Sequence, residues 1–340
     1  MPTTPQAIAM TVTRESWPMH TPFRITGKTW TAVDLILVTL ARGGAVGRGE
    51  AAGVYYHHET PESMQAQLER VRDRIEAGID RQALLHLLPA GGARNAVDAA
   101  LWDLEAQETG CPASLNAGLV SLWPLRSLIT LGAAAPAAMA VAARKLGDWA
   151  AVKLKLTGEP EDAERVRAVR DALPQAWLAV DANQGFDRKS LDFLMPTFLD
   201  AKVELIEQPF PVGSESWLEG WNHPIPIAGD ESLIDLLDVD TMPGRFECLN
   251  IKLDKCGGLT RGLEMARKAR ELGLSVMVGN MSGTSLSMAP AFVLGQLCDV
   301  VDLDGPLVLS SDRTPAVRYE NGLLRMPQGL WGRLPATNAV

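Results

Sequence analysis

Residues Ala151-Val-Lys-Leu-Lys-Leu156 read as a β-strand in which two lysines interrupt an apolar run. Side chains i and i+2 of a strand point to one face, so Lys153 and Lys155 must share an environment. A purely apolar core would not hold two ammonium groups side by side. Either this is an edge strand whose lysines reach water along their alkyl stems, or its polar face looks into a cavity that carries compensating charge.

Comparable runs recur down the chain: Ser127–Leu131, Trp177–Asp181, Val203–Glu207, Ile225–Asp230, Cys248–Lys252, Leu274–Val278 and Val300–Asp304, eight in all with 151–156. Between them lie segments of helical periodicity, such as Glu161–Leu173 and Thr260–Leu272. Repeated strand–helix units predict a (β/α)8-type barrel over residues 119–315, an α/β fold, with a doubly wound open sheet as the alternative. The alanine-rich stretch 133–143 is expected to be the first barrel helix. Residues 1–118 follow another pattern. Leu35–Arg42, a Gly-Gly turn and Val46–Ala51 predict an antiparallel hairpin, followed by helices near 61–77 and 93–108, so an α+β domain precedes the barrel. Gly43, Gly44, Gly47 and Gly49 do not form a G-x-G-x-x-G that opens a helix, which argues against a dinucleotide loop.

The totals narrow the partners. A formal charge of −9 argues against a nucleic-acid or anionic-lipid footprint. No apolar run approaches the roughly 18 residues of a membrane span, and the start lacks a signal-peptide pattern, so a cytoplasmic protein acting on a small molecule is expected. Cys111, Cys248, Cys256 and Cys298 show no C-x-x-C spacing and read as reduced structural thiols.

Several runs end in charge, at the barrel end where such enzymes place their chemistry. Asp181, Glu207 and Asp230 close three consecutive runs, 26 and 23 residues apart. Three neighbouring carboxylates repel unless a cation sits among them, and an all-oxygen set without histidine suits Mg²⁺ better than zinc. Lys155 closes the second run and Lys252 the sixth, opposite positions on an eight-stranded ring. A substrate between them would have one lysine on each face. Lysine becomes an acid/base group when its pKa falls toward roughly 7–8, and Lys153 is the cation expected to depress Lys155.

In this order, Lys-x-Lys at 153–155, Asp-Ala-Asn at 181–183, Glu-Gln-Pro at 207–209, Asp-Glu-Ser at 230–232 and Asn-Ile-Lys-Leu-Asp-Lys at 250–255, with Ala93–Leu104 ahead of them, resemble the muconate-lactonizing subgroup of the enolase superfamily. The resemblance covers nearly the whole chain. It implies that Asp181, Glu207 and Asp230 ligate one Mg²⁺ per subunit, with Asn183 and Glu231 beside them. It further implies that Lys155 and Lys252 are the acid/base pair, that Lys153 tunes Lys155, that residues 316–340 return to the capping domain, and that the subunits form a homo-oligomer.

The same residues serve cycloisomerases, o-succinylbenzoate synthase-type lyases, racemases and epimerases, so the chemistry alone leaves these open. Asp302-Leu-Asp304 places two carboxylates i and i+2, which would repel a dianion and receive an ammonium. This pair resembles the feature by which dipeptide epimerases hold the substrate's N-terminus. The implied activity is 1,1-proton transfer at the C-terminal residue of an L-Ala-D/L-Glu-like dipeptide through an ene-diolate, as in cell-wall peptide metabolism; the alternative is a cycloisomerase or lyase. Enzymes acting on glutamate dipeptides tend to carry an arginine several residues after a Pro-Phe, where this chain has Gly27 or Lys28. Arg24 and Lys28 are the candidates to replace it, while Trp30, Tyr55, Tyr56, His57 and His58 would shape a pocket for another side chain.

Overall fold

A computed structural model describes residues 7–25, 28–147 and 149–337, and of residues 23–25 and 28 the backbone only. The chain opens with a three-stranded antiparallel sheet, β1 (Ala9–Ile25), β2 (Lys28–Arg42) and β3 (Ala45–Ala51). Arg42 pairs with Ala45, so the β2–β3 loop is Gly43-Gly44 alone, at φ 57° and 87°. A two-residue hairpin loop whose strands keep their twist needs positive φ at both positions, which glycine supplies. β1 was not anticipated by the hydrophobic pattern. It is an edge strand that mixes polar and apolar residues, and among its described side chains Met10 is the buried one.

Helices α1 (Pro61–Glu76), α2 (Arg81–Leu87) and α3 (Gly92–Thr109) cover the sheet, and a short α4 (Ala113–Asn116) leads out of the domain. Ile36, Val38 and Leu40 bury their side chains against Ala96, Val97 and Ala100 of α3. A Cβ at Gly47 or Gly49 would run into the backbone carbonyls of Ala100 or Ala96, so these glycines let helix and strand lie in direct contact.

Beyond β4 (Leu125–Arg126) eight parallel strands follow in strict sequence order: β5 (Ile129–Leu131), β6 (Ala151–Lys155), β7 (Trp177–Asp181), β8 (Val203–Glu207), β9 (Ile227–Gly229), β10 (Cys248–Lys252), β11 (Ser275–Gly279) and β12 (Val300–Val301). A parallel bridge between Ser127 and Val301, with Leu128 N donating to Val301 O at 2.8 Å, joins the last strand to the start of the first and closes the ring. The inner face is layered. Leu128, Ala151, Ala179, Leu205, Ala228, Cys248 and Met277 plug the barrel. Two residues further along each strand, the same face turns polar with Lys153, Asp181, Glu207, Asp230 and Asn250. The outward set, including Val152, Leu154, Val180, Ile206, Ile251 and Val278, packs under the helices. Period-2 alternation thus puts both lysines of 151–156 inside the ring.

Among the described residues, helices of ten or more residues follow five of the strands: α5 (Pro136–Lys145), α6 (Asp162–Ala172), α7 (Arg188–Asp200), then α10 (Leu259–Glu271) and α11 (Ser285–Gly295). The eight complete strand–helix units expected from the intervals are therefore not all present. After β8 there is one turn at Glu215–Leu218, after β9 the four-residue α8 (Leu236–Val239), and after β12 a turn at Gly305–Val308. Pro209, Pro211, Gly213, Gly220, Pro224 and Pro226 explain the first gap, because such spacing leaves no room for a continuous helix. A further short helix, α9 (Leu253–Cys256), sits directly on the end of β10.

The last segment, with β13 (Arg318–Glu320) and β14 (Leu323–Arg325), forms a small antiparallel sheet with β4. It then reaches the first domain, where Trp331 Nε1 donates to Ala99 O at 3.0 Å and Gly332 N to Asp103 Oδ1 at 2.7 Å.

Helix α3 also forms the seam with the barrel. Asp98, fully buried, accepts from Thr260 N and Oγ1 at 3.1 and 2.5 Å, and Trp102 Nε1 donates to Thr260 Oγ1 at 2.9 Å. Burial pushes the Asp98 carboxyl from 3.8 up to about 6. Between these values the unfolded chain releases a proton that the folded chain keeps, so the associated stability is present below about pH 4 and lost as pH rises through 6. The effect amounts to about 3 kcal/mol. Urea unfolding of the wild type and Asp98→Asn should show the wild type gaining relative to the variant as pH falls from 7 to about 4; parallel curves would refute the assignment.

Candidate active site

The polar layer brings the strand-end charges together. Register places Lys155 beside Asp181 and Asp181 beside Glu207 on adjacent strands. Lys155 Nζ donates to Asp181 Oδ2 at 2.5 Å, and Lys252 Nζ to Asp230 Oδ2 at 2.6 Å. Lys153 Nζ bonds Asp302 and Glu207 Oε2, the latter at 3.1 Å, and lies 3.6 Å from Asp181. The five strand-end residues named from the sequence, and Lys153 with them, are buried. As they stand, no three acidic side chains among the described residues share one ligating position; the ammonium groups lie between them.

Burial alone would lower the pKa of Lys153, but Asp302, Glu207 and Asp181 outweigh it and raise it well above the usual lysine range. Lys252 is likewise raised, with Asp230 and Glu207 outweighing burial. Lys153 lowers Lys252, but Asp230 and Glu207 outweigh that as well as burial. Burial, then Asp181 and Asp230, push Glu207 up to about 7 despite Lys153. Burial and the same two aspartates push Glu231 up to about 7. Asp230 goes the other way, held below the carboxylate range by Lys252 and Lys255 against its burial.

Excess acid of this kind fits a cation. Glu231 Oε2, Asp302 Oδ1 and Asn250 Oδ1 are buried oxygens without a hydrogen-bond partner among the described residues. With Asp181, Glu207 and Asp230 the donor set is entirely oxygen, the chemistry of a hard divalent ion.

Lys155 and Lys252 line one cleft with Asn183, Asp230 and Glu231. Asn183, at φ 43°, turns its N–H onto Asp181 Oδ1 at 2.8 Å and its side chain toward Glu231 Oε1 at 3.3 Å. The first domain roofs the cleft and is tied down over it. Asp254 Oδ1 accepts from Gly53 N at 2.9 Å. Buried Glu50 accepts from Thr284 N and Oγ1 at 2.7 and 2.5 Å and from Arg313 Nη2 at 2.7 Å. These bonds set the turn Tyr55–His57 over the barrel mouth.

The aspartate pair is placed differently from its expected strand face. β12 stops at Val301, before Gly305-Pro306 begins a turn, and the two carboxylates diverge. Asp302 bonds Lys153, while Asp304 Oδ2 accepts from Thr130 N at 2.8 Å. Asn280, Met281 and Ser282 form the cleft wall on that flank, and Asn280 Nδ2 holds Asp302 O at 2.7 Å. Arg24 pairs with Thr29 and Lys28 with Ile25 at the tip of the β1–β2 hairpin, but their side chains lie outside the described residues.

Three participants escaped the sequence reading. Lys255 donates to the Asp230 carbonyl and, at 2.5 Å, to its Oδ1. Asn250 Nδ2 donates to Glu207 Oε1 at 2.7 Å, and Gln208 Oε1 accepts from Asp230 N at 2.9 Å. Asn250 had a usable signal, two residues before Lys252 on the same strand face. Lys255 lies on α9, where strand parity says nothing.

Gly279, paired with Lys252, makes room for both. A Cβ there would stand 2.6 Å from Asn250 Oδ1 and 3.0 Å from Lys252 Cε. Gly279→Ala is expected to keep the fold and lower kcat by at least about 100-fold, since a shift of roughly 1 Å in a reacting group costs that much; near-normal kcat would show that Lys252 tolerates displacement.

Residues 7–115 match the mandelate racemase/muconate lactonizing enzyme N-terminal domain, and residues 108–330 the enolase C-terminal domain-like model. The L-Ala-D/L-Glu epimerase of Escherichia coli is 36% identical over 316 residues, 93% of this chain and 98% of that one. An enolase family member from Agrobacterium tumefaciens with homology to dipeptide epimerases, solved with sodium and L-Ala-L-Glu, superposes with a TM-score of 0.93 at 38% identity, covering 96% of this chain and all of that one. The dipeptide epimerase of Methylococcus capsulatus, solved with Mg and L-Arg-D-Lys, gives 0.88 at 31% identity, covering 96% and 99%. With both halves matched and the architecture shared over nearly its whole length, the chain belongs to the mandelate racemase/muconate lactonizing enzyme family of the enolase superfamily.

Proposed function

We propose that the protein is a Mg²⁺-dependent dipeptide epimerase, an isomerase that inverts the α-carbon of the substrate's C-terminal residue. The observation that carries this reading is the single cleft lined by Lys155 and Lys252, which come from diametrically opposed strands. Its support is the set of similar epimerases above. An α-carbon held between the two amines loses its proton to one and regains a proton from the other, which inverts it.

Asp181, Glu207 and Asp230 would hold the ion, with Lys255 and Gln208 fixing Asp230 and Asn250 fixing Glu207. Bound Mg²⁺ would supply positive charge that stabilises the substrate carboxylate as the α-proton leaves, and would offset the carboxylates that raise Lys252. Lys153 stays cationic among three carboxylates and adds positive charge beside the developing ene-diolate. Asp302, with one oxygen unpartnered among the described residues, and Asp304 are the proposed receptors for the dipeptide ammonium. We place the enzyme in the cytoplasm, acting on peptides of the kind cell-wall turnover releases; no helix among the described residues is long and apolar enough to cross a membrane.

Incubating a dipeptide panel in D₂O with Mg²⁺ should introduce one α-deuterium into accepted substrates, read by mass spectrometry. No exchange with any dipeptide would overturn the reading. A cycloisomerase or lyase acting on dianions is separated by alanine at Asp304, which leaves the Asp302–Lys153 bond in place: an epimerase loses dipeptide turnover, whereas the alternative does not suffer.

A further inference from the structure

Three pieces of chain from distant parts of the sequence edge the cleft: Met19 from β1, Ala52 and Gly53 after β3, and Asn280–Ser282 after β11. One guanidinium sits behind all three. Arg313 Nη2 donates to Glu15 Oε2 and to Glu50 Oε2, each at 2.7 Å, and its Nε donates to Glu50 Oε2 and Thr284 Oγ1, each at 2.9 Å. Glu15 lies four residues before Met19, Glu50 two before Ala52, and Thr284 two after Ser282. Arg313 itself is not among the cleft-lining residues.

The segment that carries this arginine is fixed independently. Leu309 bridges Met19, Ser310 N donates to Pro18 O at 2.8 Å, and Asp312 accepts from Ser285 N at 2.8 Å and from Ser285 Oγ. The fork is thus presented from an anchored backbone, with a planar donor geometry that a single ammonium cannot reproduce. The loop it steadies has little slack. A Cβ at Gly283, where φ is 155°, would run into Ser287 Oγ and stand 3.0 Å from Glu50 Oε1, so the loop passes directly over the carboxylate that Arg313 grips. On its far side Asn280 Oδ1 accepts from Ser282 N at 2.8 Å, and Asn280 Nδ2 holds the Asp302 carbonyl at 2.7 Å.

We infer that Arg313 is a positioning residue for the substrate: paired with Glu50, it fixes the wall Asn280–Ser282 and the edge at Met19, and through Asn280 it sets Asp302 to receive the dipeptide's N-terminus. The inference rests on the epimerase reading and adds to it a residue outside the cleft. Lys155 and Lys252 keep their aspartates on the floor without Arg313. Loss of the guanidinium therefore weakens binding more than chemistry.

The test is KM and kcat of the Mg²⁺-loaded enzyme on the best substrate of a dipeptide panel. Arg313→Ala should raise KM by roughly tenfold or more, the worth of a weakened hydrogen bond to a charged group, with kcat changing less. Arg313→Lys, which keeps the charge but loses the fork, should fall between, and it supplies the comparison if the alanine variant does not fold. Amide hydrogen exchange of the same proteins without substrate should quicken in 280–285 and 50–54 and stay slow in the barrel strands. KM unmoved in both variants, or exchange quickened evenly through the barrel, would overturn the inference while sparing the epimerase reading. Local quickening in the variants, with no dipeptide turned over by the wild type, would sink that reading instead.

Discussion

Lys155→Ala and Lys252→Ala should each abolish epimerisation, yet differ in the configuration that still exchanges its α-proton. Inversion needs a base on one face and an acid on the other, so losing either amine closes the full reaction, by roughly 10⁴-fold or more at the upper end of acid–base contributions. The surviving lysine still faces one side of the α-carbon. It can remove and return a proton there, so one variant should wash deuterium into the L-configured substrate and the other into the D-configured one. Each lysine has its own aspartate, Asp181 or Asp230, so removing one leaves the other's ion pair standing. Equal loss of exchange for both configurations in both variants would place the two amines on one face.

Asp230→Asn is expected to lose stability as well as activity. Asp230 is 1% exposed and holds Lys252 Nζ at 2.6 Å and Lys255 Nζ at 2.5 Å. Removing its charge leaves two buried ammonium groups without their main partner, and breaking such a pair from one side costs about 3–5 kcal/mol. Urea unfolding at neutral pH measures that loss. Because Asp230 is also a proposed ligand, added Mg²⁺ should raise the stability of the wild type by mass action and that of the variant far less. An unchanged unfolding midpoint, with undiminished Mg²⁺ binding by calorimetry, would remove Asp230 from both roles.

The strand periods made the inner charge layer legible: Lys153 and Lys155 two apart, and Asp181, Glu207 and Asp230 each at a strand end. Lys252 was legible for the same reason, and the structure brings all six into one polar layer. What depends on distance was not. Whether a buried lysine ends above or below its usual range turns on how close the carboxylates come, and Lys153 is enclosed by three of them. The missing helices after β8, β9 and β12 were hidden by strand-to-strand intervals that match complete units, although the prolines of 208–226 carried the signal. β1 was overlooked because an edge strand buries little and so shows weak alternation. Asp302 and Asp304 diverge because their strand ends at Val301, before either of them, and Gly279 matters only through what a Cβ would strike.

Two amines on opposite faces of one carbon make a definite statement about where protons come from. Epimerisation of an L,L-dipeptide run briefly in D₂O, with product isolated at a few per cent conversion, tests it directly. The product epimer should carry deuterium at the inverted α-carbon in essentially every molecule, because the donating lysine never held the substrate's own proton. Product that retains the original α-hydrogen would mean that a single base serves both faces, and the account of Lys155 and Lys252 as opposed partners would fail.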